Sequence, residues 1–321
     1  MSVPSGTIQT FAMVGIREQL SDTISNIDPY ETPVYSRIGK GTCSTRTPEW
    51  IIDTRRAANA NNAVIEGNDA TNLTPTTPVR NKNVVQLFEG TVQVSSTAQA
   101  VDAAGRSNEM AYQVAKEGVA LRMDIEARVS GNYASVLGAA GTAGQMAGIE
   151  AWITTNDSRG AGGSDGGFNS GTGLVAAATD GTQRALTETI FKAAIKTAWT
   201  NGAKVPLIVV GGFNKQAVSG FAGIAQHTNE VKASSTVAII GAADVYVSDY
   251  GRHTVVPSRL SRDRTALGLD PSMWKLRFLQ PFKTKPLASN GHNERKMIWC
   301  EATLESTNEK ANMVIADLTT S

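Results

Sequence analysis

The stretch RRAANANNAVIEGNDATNLTPTTPVRNKN, from Arg55 to Asn83, sets the strongest limit on what this chain can fold into. It is polar and rich in Asn and Thr. Strand-like runs flank it, PEWIID at 48–53 and VVQLFEGTVQV at 84–94. Two strands around a long polar segment describe a hairpin that projects from the body. Doubled back, its 29 residues reach about 45–50 Å at ~3.3 Å per residue. Each ordered backbone residue costs about 1–2 kcal/mol, and the arm's main apolar side chains are Val64, Ile65, Leu73 and Val79. An arm so poor in apolar groups is either disordered in water or laid on another surface.

The remainder of the 321 residues is ordinary globular sequence, 41% hydrophobic and 18% charged, enough for one large domain or two joined ones. In the N-terminal segment, Ile16, Leu20, Ile24 and Ile27 fall at helical spacing before Asp28-Pro29 breaks the chain. TPVYSRIG predicts a short helix with Thr32 as cap, Pro33 in the first turn and Gly39 at the exit. A long helix is expected from Ser107 to Leu137, its buried face being Met110, Val114, Gly118, Leu121, Ile125, Val129, Tyr133 and Val136. Its opposite face, with Lys116, Glu117, Arg122, Asp124, Glu126 and Arg128, reads as solvated or subunit-facing.

Beyond it, GIEAWITT is a strand-like island, and RGAGGSDGGFNSGTG is a loop, mobile unless something pins it. Thr187 caps a helix that buries Ile190, Phe191, Ala194, Ile195, Ala198 and Trp199 and ends at Gly202. PLIVVGG is a buried strand, followed by a helix from about Asn214. ADVYVSDYGRHTVVPS reads as a hairpin around Gly251-Arg252, and MWKLRFLQPFKTKPLA as a strand entering a Pro-bounded turn. In the tail, Ile298, Cys300, Ala302 and Leu304 share one side, and Met313 and Ile315 continue it as a C-terminal hairpin.

Patterns that carry chemistry are weak. GGSDG at 162–166 matches the nucleophile elbow around Ser164, yet the elbow needs a strand before the serine and a helix after it, and a glycine run supplies neither. Ser272-x-x-Lys275 lacks its companion motifs, and GTGLVA at 171–176 has no strand leading into it. His227, His253 and His292 each stand alone, so loop or surface positions are expected and no metal site. Cys43 and Cys300 read as buried or half-buried free thiols. Asn72-Leu73-Thr74 and Asn156-Asp157-Ser158 match the glycosylation pattern, which means nothing without a secretory signal. Formal net charge is +1, which excludes a whole-protein basic field for gripping nucleic acid. No apolar run approaches the ~18 residues of a membrane span. We therefore expect no catalytic residue, no cofactor and no metal.

The order of parts, and the strings ISNIDPYETPVYSRIGKG, WITTNDSRGAGG, GGFNKQAVSGFAG, DVYVSDYGRHTVVPSR, LQPFKTKPLA and TNEKANMVIADL, resemble the major capsid proteins of tailed bacteriophages, the fold named after phage Hong Kong 97. The resemblance covers nearly the whole chain. It implies an α+β, Hong Kong 97-like capsid fold: an N-terminal arm at 1–47, an extended E-loop hairpin at 48–95, a peripheral domain with a long spine helix at 96–149, an α/β axial domain at 150–281, and C-terminal strands at 282–321 returning to the peripheral domain. It implies a shell of pentamers and hexamers around a dsDNA genome, assembled in the host bacterial cytoplasm and resident in the virion. Partners would be further copies of the chain, the packaged dsDNA without sequence preference, and separate scaffolding, portal and decoration proteins, with no membrane. No long charge-rich helical segment precedes the arm, so a separate scaffolding protein, or none, is expected.

Arg55, Arg56, Glu66, Asp69, Arg80 and Lys82 are the candidates for inter-subunit pairs; the plain reading is that they keep a long hairpin soluble and discourage edge pairing. Some members of the fold cross-link through an E-loop lysine. Lys82 sits at the arm's base rather than its tip, which speaks against that chemistry here. Other readings stay open: a cellular nanocompartment of the same fold, a tail or baseplate component, and a hydrolase acting through Ser164.

Overall fold

The computed structural model describes residues 31–69, 75–101, 108–221 and 244–321. The helical spacing at Ile16–Ile27, the Asp28-Pro29 break, Leu73, the Asn72-Leu73-Thr74 pattern and His227 lie outside them. In chain order the elements are α1 (Pro33–Arg37), β1 (Gly39–Thr42), β2 (Glu49–Ile52), β3 (Val79–Lys82), β4 (Gln86–Ser95), α2 (Ser96–Ala100), α3 (Glu109–Ser130), α4 (Ile149–Trp152), β5 (Asp157–Ser158), β6 (Gly167–Asn169) and β7 (Leu174–Ala176). There follow α5 (Glu188–Thr200), β8 (Leu207–Val210), α6 (Gly212–Ser219), β9 (Val245–Ser248), β10 (Gly251–Pro257), β11 (Ala266–Leu269), β12 (Trp274–Leu287), β13 (Asn293–Ser306) and β14 (Met313–Ile315).

Two sheets organise the body. The four-stranded one runs β1-β12-β13-β4 and carries α3 across β4 and β13. On β13 the expected alternation holds: Ile298, Cys300, Ala302 and Leu304 all face the core. The six-stranded sheet runs β5-β14-β11-β8-β10-β9. Its strand β8 is buried along its whole length. Leu207 and Val209 enter the core shared with α1, α3 and α4, while Ile208 and Val210 enter a second core under α5. A sheet covered on both faces asks for an unbroken apolar run, and Leu207-Ile208-Val209-Val210 provides it.

Helix α5 starts where expected, Thr187 Oγ1 accepting the N–H of Ile190 at 3.4 Å. Trp199 is not part of its buried face. It is half exposed and lies against Tyr250 at 4.9 Å. Helix α3 is shorter than its periodicity suggests and ends at Ser130. A Cβ on Gly148 would overlap the carbonyl oxygen of Gly131, so the chain after Ser130 must turn aside to let the 148 segment pass. Tyr133 and Val136 consequently leave the helix, and Tyr133 is exposed.

Glu126 also departs from expectation. It is fully buried, and its carboxylate accepts the N–H groups of Val34 (3.0 Å) and Tyr35 (2.6 Å). These are donors that the first turn of α1 leaves without intrahelical partners. The cap of α1 therefore comes from α3, and Thr32 makes no side-chain cap. Burial pushes the Glu126 carboxyl up from its ordinary value, against the two N–H bonds and Arg37, which pull it down.

Four further expectations are corrected. GIEAWITT opens as the short helix α4, whose Ile149, Glu150, Ala151 and Trp152 are all buried. The hairpin β9–β10 turns at Asp249-Tyr250, two residues before Gly251-Arg252. Strand β12 runs through both Pro281 and Pro286; its register with β13 shifts on either side of Gln280, and an irregularity there is where a strand tolerates a residue without an N–H. The tail is no hairpin: β13 belongs to the four-stranded sheet, whereas β14 crosses to the six-stranded one and lies between β5 and β11.

Candidate assembly surface: the projecting arm and its mooring

The arm leaves the body as a two-stranded ribbon. β2 pairs with β3 from Glu49↔Lys82 to Ile52↔Val79, so the returning strand begins before the 84–94 run assigned to it from sequence. That later run is β4, which pairs with β13. Every described residue from 53 to 69 and from 75 to 80 is exposed, with Val64 at 70% and Ile65 at 81%. Beyond the ribbon the limbs are linked by Thr76 Oγ1, which donates to Thr54 O at 2.9 Å. Local turns add Asn62 N to Asn59 O (3.3 Å) and Asn68 N to Ile65 O (3.1 Å).

The base is built differently. Asn83 is buried; its Nδ2 donates to Leu304 O (2.7 Å), and its Oδ1 accepts from Val84 N (2.9 Å) and Ala147 N (3.1 Å). Thr303 Oγ1 donates to Val84 O at 2.9 Å. Trp50 donates from Nε1 to Ser306 O (2.7 Å), and its ring meets Trp152 at 5.6 Å. Trp152 stacks on Phe168 of β6 at 5.9 Å with planes 7° apart. None of Trp50, Trp152, Phe168 or Asn83 was singled out from sequence. The apolar Trp50 on a strand bordering a polar arm was the available signal; for Asn83 there was none.

Of the six charged candidates, Arg55, Arg56, Glu66 and Asp69 lie on the exposed limbs. Arg56 donates from Nη1 to Ala57 O at 3.3 Å. Arg80 finds a partner in its own chain, Glu49 Oε2 at 3.3 Å, across the ribbon. Lys82 is half-buried at the base, its side chain lying over Gly173.

The glycine run next to this base is pinned, against the expectation of a mobile loop. Gly167–Asn169 and Leu174–Ala176 pair as a small hairpin. Behind it stands Asp317, fully buried and in left-handed backbone (φ 59°). Its carboxylate accepts from Gly160 N (3.0 Å), Gly181 N (2.9 Å) and Arg264 (2.7 Å). Burial alone would raise this carboxyl; the two backbone N–H groups and Arg264 outweigh it and hold it below the ordinary carboxylate value. Beside it, buried Glu150 accepts from Arg159 (3.2 Å) and Arg262 (3.0 Å), and Arg262 also meets Asp180 at 2.6 Å.

Ser164 sits in this run, exposed and bridged through its backbone to Thr179. No strand leads into it and no helix follows, so the elbow geometry is missing. Gly171 to Ala176 form a turn and β7 rather than a phosphate loop. His253 is neither loop nor surface: it is buried in β10, with Nδ1 2.7 Å from Val205 O and Nε2 2.7 Å from Ser248 Oγ, and burial lowers its pKa. His292 is exposed in a turn. Cys43 is half-buried and Cys300 buried, as expected of free thiols; burial pushes Cys300 up to about 12.

Comparison with known proteins identifies the kind of molecule that carries this arm. A family model described as SU10 major capsid protein matches residues 4–319. The chain belongs to the SU10 major capsid protein family. It is therefore a phage major capsid protein, a structural component of the virion. The major capsid protein of Escherichia phage Phieco32 is 31% identical over 112 residues; the match takes in 35% of this chain and about a third (32%) of that relative's length.

Solved structures of similar fold include the capsid asymmetric unit of cyanophage A-1(L), with 12% identity, a TM-score of 0.66, and 98% of this chain and 99% of that one covered. The capsid of a native GTA particle has 10% identity and a TM-score of 0.59, covering 97% and 98%. The holo-SrpI encapsulin complex of Synechococcus elongatus PCC 7942 has 9% identity and a TM-score of 0.56, covering 96% and 98%. At these identities the likeness concerns the fold alone.

Proposed function

We propose that this capsid protein forms the icosahedral shell around a phage dsDNA genome, assembling in the host cytoplasm from pentamers and hexamers through a Hong Kong 97-like fold. In this reading residues 1–47 are the N-terminal arm and 48–95 the E-loop. The spine helix belongs to a peripheral domain at 96–149, the axial domain spans 150–281, and 282–321 close the chain. One observation carries the reading: an arm that buries no described residue between 53 and 69 sits on a densely bonded base. An exposed Val64-Ile65 pair at the end of such an arm is a surface waiting for another copy. Arg55, Arg56, Glu66 and Asp69 would form pairs with neighbouring subunits, each contributing about 0–1 kcal/mol and multiplied by the symmetry of the shell. The DNA would be confined rather than gripped, since the net charge of +1 gives no basic field.

The encapsulin likeness supports a second reading, a shell with protein cargo. Electron microscopy of purified particles, with light scattering for mass, tests both. Closed shells containing DNA, or five- and six-fold capsomers, are expected. Shells filled with an enzyme would favour the second reading. A monodisperse monomer across concentration and salt, with candidate scaffold added, would overturn both.

A further inference from the structure

Two contacts, one from each limb of the ribbon, converge on the β6–β7 hairpin. From β2, Trp50 reaches it through Trp152, whose ring stacks on Phe168. From β3, Lys82 lays its side chain over Gly173, the residue leading into β7. Gly173 has left-handed backbone (φ +68°), and a Cβ there would push the end of the Lys82 side chain off this seat.

The hairpin is fixed in turn. Val175 N donates to Ser135 Oγ (2.7 Å) and Ser135 N to Val175 O (2.9 Å). Asn132 brackets Ala178 with two bonds, Nδ2 to Ala178 O (2.7 Å) and Ala178 N to Oδ1 (2.9 Å). Asp317 holds Gly160 and Gly181, at the two ends of the segment that contains it.

β13 holds the base of the ribbon through Ser306 and Leu304. The β6–β7 hairpin adds a second support, through Trp152 to one limb and through Lys82 to the other, and two supports resist a pivot that one allows. We propose that the β6–β7 hairpin aims the arm: Phe168 and Gly173 are positioning residues that set the direction in which the arm leaves the subunit. The purpose of that aim rests on the assembly reading above; the aim itself does not.

The test uses the full chain with spin labels at Ile51→Cys, exposed on β2 of the ribbon, and Ala115→Cys, exposed on α3, in a Cys43→Ser background; Cys300 is buried and stays unlabelled. Pulsed dipolar spectroscopy should give a single narrow distance peak. Phe168→Ala should remove it and leave a broad distribution. Gly173→Asn should do the same, because Asn accepts left-handed backbone while its side chain evicts Lys82. Lys82→Ala, which changes no glycine and no core residue, should broaden the peak, and combined with Gly173→Asn it should add nothing further.

A broad distribution in the unsubstituted protein overturns the proposal. So does a narrow one that survives all three substitutions, even with a lowered melting temperature, since that outcome makes the hairpin merely structural. Shell formation by the same variants separates the two ideas. Broadened distances with normal shells leave the aiming role intact and remove its link to assembly, whereas unchanged distances remove the aiming role whatever the shells do.

Discussion

Asn83 and Ile65 belong to the same excursion of the chain and invert the usual rule of burial. The polar Asn83 is 1% exposed and spends its amide on three backbone partners; the apolar Ile65 is 81% exposed and touches solvent. Within one subunit the first arrangement is stabilising and the second is not. The base of the arm is finished inside the subunit, and under the proposed assembly its far part is where free energy of association would begin.

Substitutions can break that division or sharpen it. The largest effect is expected at Trp152, enclosed between Trp50 and Phe168. Trp152→Ala should lower the unfolding free energy by about 3–5 kcal/mol in a denaturant titration, the range for emptying an aromatic core site. Asn83→Ala strands two N–H groups and a carbonyl and should cost about 2–4 kcal/mol in the same titration.

Asp317→Asn tests the clamp through pH. The folded carboxyl lies below its ordinary value, so its contribution is fully present above the unfolded pKa of about 3.9 and is lost as pH falls through the folded value. The variant should be less stable at neutral pH, and its stability should fall less steeply than that of the parent below about pH 4. A parallel acid limb would refute the clamp.

Arg80→Ala removes an exposed pair with Glu49 and should change stability by less than about 1 kcal/mol. Smallest of all for the free subunit is Ile65→Ser, within about 0.5 kcal/mol. That same variant should nonetheless reduce shell yield in electron micrographs. Normal shells from Ile65→Ser would place the arm's contact elsewhere.

Much of the fold is legible from local pattern because the pattern is local physics. The apolar run of β8, the alternation on β13, the Thr187 cap and the polar arm between strands each depend on neighbours within a few residues. The rest depends on partners far along the chain. Glu126 reads as a charge on a solvated helix face until α1, 92 residues away, brings two N–H groups to it. Asp317 carries no local mark of its role, which exists only through Gly160 and Gly181. The glycine run reads as mobile because its anchors, Asp317 and Ser135, lie outside it. β12 reads as ending at its prolines because the register shift that accommodates Pro281 is a property of the pair β12–β13. Of the candidate surface, the arm and its charges were visible; the ring stack that seats it was not, since Trp50, Trp152 and Phe168 are adjacent in space only.

The position of β14 has a consequence for the order in which the molecule can be made. Its residues 313–315 lie between β5 and β11, and Val314 pairs with Asp157, 314 − 157 = 157 residues earlier. At about 5–20 residues per second, translation takes roughly 8–30 s to cover that interval. During it β8 and β11 can pair, but one edge of β11 stays open, and β5 has no strand to join. An open apolar edge is a template for wrong pairing between nascent chains on the same message. The subunit closes that edge only when β14 emerges, and the same event delivers Asp317 to Gly160 and Gly181. Completion of the sheet and closing of the Asp317 clamp on Gly160 and Gly181 are thus a single late step.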